Sequence, residues 1–233
     1  MRSVKKNLVI VGISTTAKTV LAFVKHYDLF NVLGFAVNNS YIREPTFCDK
    51  PVFAIEELDG IIDKSKDYLF VAIQWNRLNA DRRNVYEMLK QEGFLFANII
   101  SPNAIIHGNL SGDNCWIADQ VNIDFGTIIG SDCFLKVQSY VAGNCIVSDH
   151  CFIGAKSIIG GGCKVGEQSF VGINATIFDC TEVGKKCIVG ACSIVKRNMP
   201  DFSKISTTLD NYVIKQYSEE EIEGKLMFNK NVR

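Results

Sequence analysis

The sequence lacks an excess of either charge, a long apolar run and a good supply of histidines. Lysines plus arginines total 25, and aspartates plus glutamates also total 25. Nothing in the overall charge therefore draws the chain to nucleic acid or to an anionic membrane. The longest aliphatic runs, such as 8–11 and 68–73, fall far short of the roughly 20 residues that a spanning helix needs. The apolar run at 8–11 is also too short for a signal peptide, so we expect a cytoplasmic protein.

Only three histidines accompany nine cysteines. In a cytoplasmic protein most of those cysteines should be free thiols. A zinc site would need clustered cysteine pairs at short spacing with histidine partners. The stretch YVAGNCIVSDHCFIGAKS (140–157) instead has two cysteines six residues apart, beside the single histidine His150. We therefore expect no metal site.

The spacing of six extends over residues 105–200. Written as sixteen blocks of six from Ile105, the sequence opens fifteen blocks with Ile, Leu or Val and places glycine second in eight. This pattern is the signature of a parallel β-helix, left-handed in the known hexapeptide families, in which three blocks form one triangular coil. The aliphatic residue fills the interior, and glycine eases the backbone at the corner. Six cysteines fall at the fifth position, where we expect them to be buried filler: Cys115, Cys133, Cys145, Cys151, Cys163 and Cys187.

The first hundred residues instead alternate strands and helices. The pattern predicts strands at 7–11, 32–37, 68–73 and 94–100, and helices at 17–26, after PVFAIEEL and at 77–92. Alternation at this spacing is typical of a small open parallel sheet of Rossmann-like type. Binding sites in such folds lie beyond the carboxyl ends of the strands. Those ends are predicted at 12–16, 37–39 and 74–76.

We divide the chain into three parts. An α/β Rossmann-like domain covers 1–100, a left-handed β-helix covers 101–200 from the hinge SPNA onwards, and a tail covers 201–233. In the tail, Ser218 is a good N-cap before an acidic first turn. The tail is therefore predicted to form a short helix that covers the open end of the β-helix.

This order of parts resembles the NeuD-type sugar O-acyltransferases and the related bacterial nucleotide-sugar N-acetyltransferases over residues 6–200. The hexapeptide repeat is shared by many acyltransferases, and the preceding βα domain, joined by ISPNA, narrows the choice. The resemblance implies a homotrimer that transfers acetyl from acetyl-CoA to a nucleotide-linked sugar in surface-glycan synthesis.

The resemblance also places nucleotide-sugar contacts in the loops after the strands. GISTTA (12–17) stands where the family has a glycine-rich loop, AIQWN (72–76) where it has Ala-Ile-Gly-Asn-Asn, and VNN (37–39) where it has an acidic pair. Trp75 could stack on a base or sugar ring, or pack between the domains. The implied substrate-binding residues are Ser14, Thr15, Thr16, Asn38, Gln74, Trp75 and Asn76.

The catalytic histidine of the family is missing. The residues aligned with its Glu-His-Asp/Glu-Cys sequence are AGNC (142–145). A sugar hydroxyl is a poor nucleophile without a base, whereas a neutral amine has a free lone pair, so this loss favours N-acylation through positioning and oxyanion stabilisation. Asn144 is then the nearest side chain that could hydrogen-bond the acceptor. His150 and His107 are the alternative bases, and for each a solvated corner histidine is the competing interpretation.

Coenzyme contacts in the family come largely from backbone on coils after the base position, in a groove between two subunits. The resemblance implies contacts with acetyl-CoA at Phe152, Gly161, Ile173, Ala191, Lys196 and Arg197. The leading hypothesis is therefore a trimeric N-acyltransferase that acts on a nucleotide-linked amino-sugar. An O-acyltransferase with a relocated histidine and a non-catalytic trimeric scaffold that binds a nucleotide-sugar are the alternatives.

Overall fold

The computed structural model describes residues 5–207. The chain begins with a six-stranded sheet in the order β3-β4-β2-β1-β5-β6, where only β3 and β4 pair antiparallel. Its strands are β1 (Asn7–Val11), β2 (Asn31–Val37), β3 (Thr46–Phe47), β4 (Lys50–Ala54), β5 (Tyr68–Val71) and β6 (Leu95–Phe96). Helices α1 (Thr15–His26) and α2 (Ala80–Gln91) and two 3₁₀ turns (Asn39–Tyr41 and Ile55–Gly60) complete this unit.

Three of the predicted elements in this unit differ from the structure. The α-helix predicted after PVFAIEEL is absent: PVFA lies in β4, and the next residues form only the 3₁₀ turn Ile55–Gly60, where Gly60 disfavours an α-helix. The helix predicted at 77–92 begins only at Ala80, because Arg77, Leu78 and Asn79 all take left-handed backbone angles with φ of 50°, 56° and 63°. The strand predicted at 94–100 is two strands. β6 closes the first sheet, whereas β7 (Ile99–Ile100) pairs with a strand of the following repeat region.

From β7 onwards the chain winds as a parallel β-helix of two-residue strands on three faces. The first face holds β7, β10 (Trp116–Ile117), β13 (Phe134–Leu135), β16 (Phe152–Ile153), β19 (Phe170–Val171), β22 (Ile188–Val189) and β24 (Lys204–Ile205). The second holds β8 (Ile105–Ile106), β11 (Asn122–Ile123), β14 (Tyr140–Val141), β17 (Ile158–Ile159), β20 (Thr176–Ile177) and β23 (Ile194–Val195). The third holds β9 (Asn109–Leu110), β12 (Ile128–Ile129), β15 (Ile146–Val147), β18 (Lys164–Val165) and β21 (Glu182–Val183).

The interior of the β-helix confirms the register of six. The six fifth-position cysteines are at most 1% exposed and unbridged. Glycine, however, relaxes the corners in a different way from the one predicted. The second-position glycines are needed for space, since a Cβ at Gly154 would lie 2.6 Å from the backbone of Gly172 in the next coil. The left-handed angles fall instead at the fourth position, in fourteen of the sixteen blocks, Asn144 and His150 included.

An outward-facing aromatic row on the first face joins the two parts of the chain. Trp116, Phe134 and Phe152 are at most 6% exposed and share one apolar cluster with Leu8 and Ile10 of β1. Phe134 stacks on Phe70 of β5 with ring centroids 5.7 Å apart. Burying such aromatic area contributes about 2–3 kcal/mol per ring. The first sheet is therefore fixed to one face of the β-helix.

The helix predicted from Ser218, with the rest of the tail after 207, lies outside the described residues. Within residues 5–207 no helix is both long enough and apolar enough to cross a membrane. The same residues contain no cluster of three or more histidine, cysteine or carboxylate side chains suited to a metal ion.

Candidate functional site

A cavity of about 770 Å³ opens at the carboxyl ends of β1, β2 and β5. Parallel strands bring their following loops together at one edge, so residues far apart in sequence meet there. The lining includes six of the seven predicted substrate-binding residues: Ser14, Thr15, Thr16, Asn38, Gln74 and Asn76. It also includes residues that the sequence analysis missed: Tyr41, Arg43, Asp81 and Asn84.

The first turn of α1 forms one wall of this cavity. Ser14 is the N-cap, and its Oγ accepts a hydrogen bond from the Ala17 amide at 3.5 Å. Gly12 precedes it with φ of +117°, an angle that side chains rarely adopt. Thr16 is only 4% exposed, and its hydroxyl has no hydrogen-bond partner within the described residues. A buried hydroxyl without a partner costs about 1–3 kcal/mol, so the position favours a ligand that accepts or donates a hydrogen bond.

The loop after β2 forms the opposite wall. Glu56 accepts hydrogen bonds from the Asn39 amide at 3.0 Å and from Nδ2 of Asn38 at 3.3 Å. Backbone N–H groups, first its own and then that of Asn39, lower the pKa of Glu56. Asn38 is thereby held at the cavity edge, directly after β2 ends at Val37. Arg43 is the positively charged residue on this wall. The sequence signal that could have identified it is an arginine a few residues after the second strand.

The loop after β5 divides its side chains between two environments. Gln74 and Asn76 line the cavity. Trp75 points elsewhere: its ring lies 4.9 Å from that of Phe152 and 5.9 Å from that of Phe170, and it stays 43% exposed. Of the two roles considered for Trp75, the structure therefore shows packing against the β-helix. Phe152 is 6% exposed in this packing, so its side chain is not available to a coenzyme on the outer surface.

The remaining predicted residues of the β-helix lie at two different corners. Gly143, Asn144, Gly161 and Arg197 follow strands of the second face, at the corner that we call the glycine corner. Asn144 is exposed, and its side-chain oxygen lies against the bare α-carbon of Gly126 one coil earlier, 2.3 Å from where a Cβ would stand. Lys196 also lies at this corner, near the ring of Phe178.

Ile173 and Ala191 lie at the neighbouring corner, between the first and second faces. Ile173 is 54% exposed, and Ala191 is also exposed. The structure thus does not bring together all of the residues that were assigned to acetyl-CoA. Within one chain they form two separate surfaces of the β-helix.

His150 lies in neither place, and its interpretation as a solvated histidine is wrong. It is 5% exposed beneath α2, at the corner between the third and first faces. Its Nδ1 lies 2.9 Å from Oδ2 of Asp132, and its Nε2 lies 3.5 Å from Oε1 of Glu87. A ring covered by α2 and held between two carboxylates cannot reach an acceptor, so the structure contradicts a catalytic His150. No local pattern in the sequence indicates that α2 covers this corner.

His107 is exposed, as expected for a solvated corner histidine. Its ring stacks on Phe125 with centroids 4.3 Å apart and planes 7° apart. Phe125 belongs to the coil between His107 and Gly143, and its ring is 65% exposed. The phenyl ring therefore lies between His107 and Gly143 along this corner.

Comparison with known proteins agrees with this geometry. Residues 145–166 and 162–197 match the family model described as the hexapeptide repeat of succinyl-transferase. PerB from Caulobacter crescentus, solved with CoA and GDP-perosamine, is 27% identical with a TM-score of 0.74, covering 85% of this chain and 92% of that chain. A variant of the GDP-perosamine N-acetyltransferase of the same organism, also solved with CoA and GDP-perosamine, is 27% identical with a TM-score of 0.75 over the same shares. The chain resembles the nucleotide-sugar acetyltransferases in sequence and in structure.

A further structure shows the fold alone. The acetyltransferase domain of PglB from Neisseria gonorrhoeae has a TM-score of 0.76 at 18% identity, covering 88% of this chain and 98% of that chain. No curated protein sequence matches the chain. The predicted resemblance to the nucleotide-sugar acyltransferases is confirmed by the first two structures, each of which covers 85% of this chain.

Proposed function

We propose that this protein is an acetyl-CoA-dependent N-acyltransferase that acts on a nucleotide-linked amino-sugar. The observation that supports it most is the cavity at the carboxyl ends of β1, β2 and β5, in a chain that resembles a GDP-perosamine N-acetyltransferase over 85% of its length. The volume of about 770 Å³ suits a ligand of nucleotide size. The chemistry of the walls suggests where the parts of such a ligand would bind.

The diphosphate of the substrate is proposed to bind at the start of α1. The free N–H groups of a helix N-terminus attract anions, and the buried Thr16 hydroxyl has no partner among residues 5–207. Arg43, which lines the same cavity, would supply the opposing positive charge. Asn38, Gln74 and Asn76 offer neutral amides, which can hydrogen-bond a base or a sugar ring.

The acyl acceptor is proposed to be an amine. With Gly143 at the family's base position, a hydroxyl acceptor would lack an imidazole to activate it, and His150 is buried beneath α2. A neutral amine needs mainly positioning beside the thioester. Asn144 is exposed at the glycine corner and could hydrogen-bond the amine or the thioester oxygen. Gly161, Lys196 and Arg197 follow on later coils of that corner and are proposed to hold the coenzyme.

A homotrimer is part of this proposal. Ile173 and Ala191 lie at a different corner from Gly161 in one chain, and a groove between two subunits would bring the two corners face to face. The second and third faces carry exposed isoleucines that would be covered in such an assembly. They are 42–54% exposed: Ile105, Ile128, Ile146, Ile158 and Ile194.

The experiment follows free thiol released from acetyl-CoA in the presence of GDP-, UDP- and dTDP-linked amino-sugars, with the matching hydroxy-sugars as controls. Release with an amino-sugar but not with its hydroxy counterpart supports the proposal. Release with hydroxy-sugars alone would favour an O-acyltransferase. Nucleotide-sugar binding without thiol release would favour the scaffold.

A substitution within the cavity tests the phosphate assignment. Thr16→Val removes the unpartnered hydroxyl while keeping the shape of the side chain. We expect KM for the nucleotide-sugar to rise about tenfold, the effect of losing one hydrogen bond to a charged group. The unfolding temperature should not fall, because no protein partner of this hydroxyl is lost.

Thr19→Val is the matched control, since Thr19 lies on the same helix and donates to its own helix backbone at Thr15. KM should be unchanged in this variant. A Thr16→Val protein with unaltered KM would contradict the phosphate site.

A further inference from the structure

At the glycine corner, two successive coils carry a half-buried glycine in place of a side chain. Gly143 and Gly161 occupy the same place on successive coils, and a Cβ at 161 would lie 3.6 Å from the carbonyl oxygen of Gly143. Exposed rings lie on either side along the β-helix axis, Phe125 at 65% and Phe178 at 47% exposure. Two glycines in succession therefore leave a gap between aromatic walls that a thin ligand chain can enter.

A carboxylate lies beside this gap. Oδ2 of Asp124, one coil earlier, is 3.9 Å from the position that a Cβ at residue 143 would occupy. Its other oxygen, Oδ1, accepts the Phe125 amide at 2.8 Å, which fixes the orientation of the carboxylate. Oδ2 is therefore the oxygen that is directed towards the gap left by Gly143.

Tyr140 provides a hydrogen-bond donor to the same oxygen. Its hydroxyl lies 3.4 Å from Oδ2 of Asp124. Burial, followed by the charge of Asp124 and the hydrogen bond to it, raises the pKa of Tyr140. The phenol therefore keeps its proton and acts as a donor. A single long hydrogen bond leaves a lone pair of Oδ2 free, as is common for catalytic groups before substrate binds.

We propose that Asp124 is the general base of this enzyme, replacing the absent histidine from the neighbouring coil, with Tyr140 as its positioning residue. This assignment rests on the proposed N-acyltransferase function. The neutral amine attacks the thioester carbonyl carbon, the C–N bond forms and the C–S bond breaks. Asp124 takes the proton that the nitrogen loses and passes it to the departing CoA thiolate, leaving the amide and free CoA.

The other polar groups near the gap do not suit this role. Asn144 cannot accept a proton at neutral pH. His107 lies beyond the ring of Phe125. Asp179 is already bonded through Oδ1 to the Gly161 amide at 2.7 Å and lies on the far side of Gly161. Asp124 alone among these groups combines proximity to Gly143 with a carboxylate oxygen that faces the gap.

The test compares Asp124→Asn with Asp149→Asn, whose carboxylate also bonds a backbone amide, that of Ser131, at another corner. With the amino-sugar that the wild-type protein uses, we expect Asp124→Asn to lower kcat about 100-fold or more with little change in KM. Asp149→Asn should retain wild-type activity. Tyr140→Phe should lower kcat several-fold, also without raising KM.

Restoring the activity of the Asp124 variants distinguishes a general base from a residue that only supports the fold. Gly143→His in the Asp124→Asn background should restore at least tenfold in kcat and give a pH profile with a limb near 6.5. Formate should likewise restore part of the activity of Asp124→Ala, and it should not affect the other variants. A His at 143 requires the Phe125 carbonyl, 3.1 Å from its Cβ, to move slightly.

The outcomes are distinguishable. If the wild-type protein transfers acetyl and folded Asp124→Asn does so within twofold of the same rate, this assignment is overturned while the proposed function stands. If the wild-type protein transfers acetyl to no amino-sugar, the proposed function fails and the assignment fails with it. If Asp124→Asn does not fold, Tyr140→Phe decides, and an unchanged kcat in that variant would overturn the assignment.

Discussion

Lys136 lies where the β-helix packs against the first sheet. Its ammonium nitrogen lies 3.4 Å from the ring centroid of Trp116. Burial, and secondly the charge of Arg82, lower the pKa of Lys136 from 10.5 to about 8. A cation whose pKa is lowered on folding destabilises the fold below the folded pKa. The cost is complete below pH 8 and fades as the pH rises towards 10.5, where the unfolded chain also loses the proton.

We therefore expect Lys136→Met to raise the free energy of unfolding at pH 7 by about 1–2 kcal/mol, since the lost cation–π contact offsets part of the gain. At pH 10 the difference from the wild-type protein should have largely vanished. Denaturant titrations at the two pH values measure both. Lys156→Met is the control, because Lys156 is an exposed corner residue. A stability gain that is equal at both pH values would contradict the burial of charge at Lys136.

Helix α2 packs along one corner of the β-helix and is bonded to it by buried polar groups. Arg82 and Asp132 are both fully buried, with Nε 2.9 Å from Oδ1. Asn114 donates to the same carboxylate and accepts the Val71 amide at 2.8 Å, which links the corner to β5. A buried charge left without its partner costs about 3–5 kcal/mol. This network therefore connects the two parts through fully buried polar groups.

Arg82→Met should accordingly lower the free energy of unfolding by about 3–5 kcal/mol. Adding Asp132→Asn should recover part of that loss, because the orphaned carboxylate is removed. Arg77→Met is the matched control: its pair with Asp81 spans 3.3 Å at the surface, where such pairs contribute at most about 1 kcal/mol. Equal losses in the Arg77 and Arg82 variants would show that burial does not set the strength of this contact. A double-mutant cycle from chemical denaturation supplies the measurement.

The proposed trimer explains why the third face of the β-helix carries exposed apolar side chains. Ile128 and Ile146 lie on adjacent coils of the third face, each 42% exposed. We expect Ile146→Asp to shift the mass measured by light scattering from trimer to monomer, since a buried unpaired charge is not tolerated at an interface. Met88→Asp, at an exposed apolar residue on α2, should leave the mass unchanged. A wild-type monomer would rule out the shared groove.

Local sequence patterns predicted the coils, the buried cysteines and the position of the cavity. The aliphatic period of six located the coils and the buried cysteines, because interior packing repeats with every block. Three strand ends located the cavity, because parallel strands end at one edge. Left-handed backbone at the fourth position could have been anticipated, since Asn, Asp, Gln and Gly are frequent there. The burial of His150 could not, because it depends on α2 packing against a corner formed much later in the sequence.

The candidate site depends on contacts between residues that are far apart in sequence, so it was predicted less completely. Asp124 carries no local signal, and its relation to Gly143 arises only when one coil is stacked on the next. For Trp75 the sequence allowed stacking on a ligand ring and packing between the domains equally, and the structure shows the ring packed against Phe152. Arg43 lies outside any regular element, so neither a repeat period nor a capping pattern in the sequence predicts which way its side chain points.

The stacking repeat restricts which insertions and deletions this protein can accept. Trp116, Phe134 and Phe152 pair in register, and each step, such as 134 to 152, spans 18 residues. Removing one block of six would rotate everything downstream by a third of a turn and move the later aromatic rings off the first sheet. Removing 18 residues would shorten the column by one coil and leave every face aligned. Viable length variants of the repeat region should therefore differ by whole coils, and shorter changes should be confined to the ends, where ladder steps of 17, 19 and 16 residues occur.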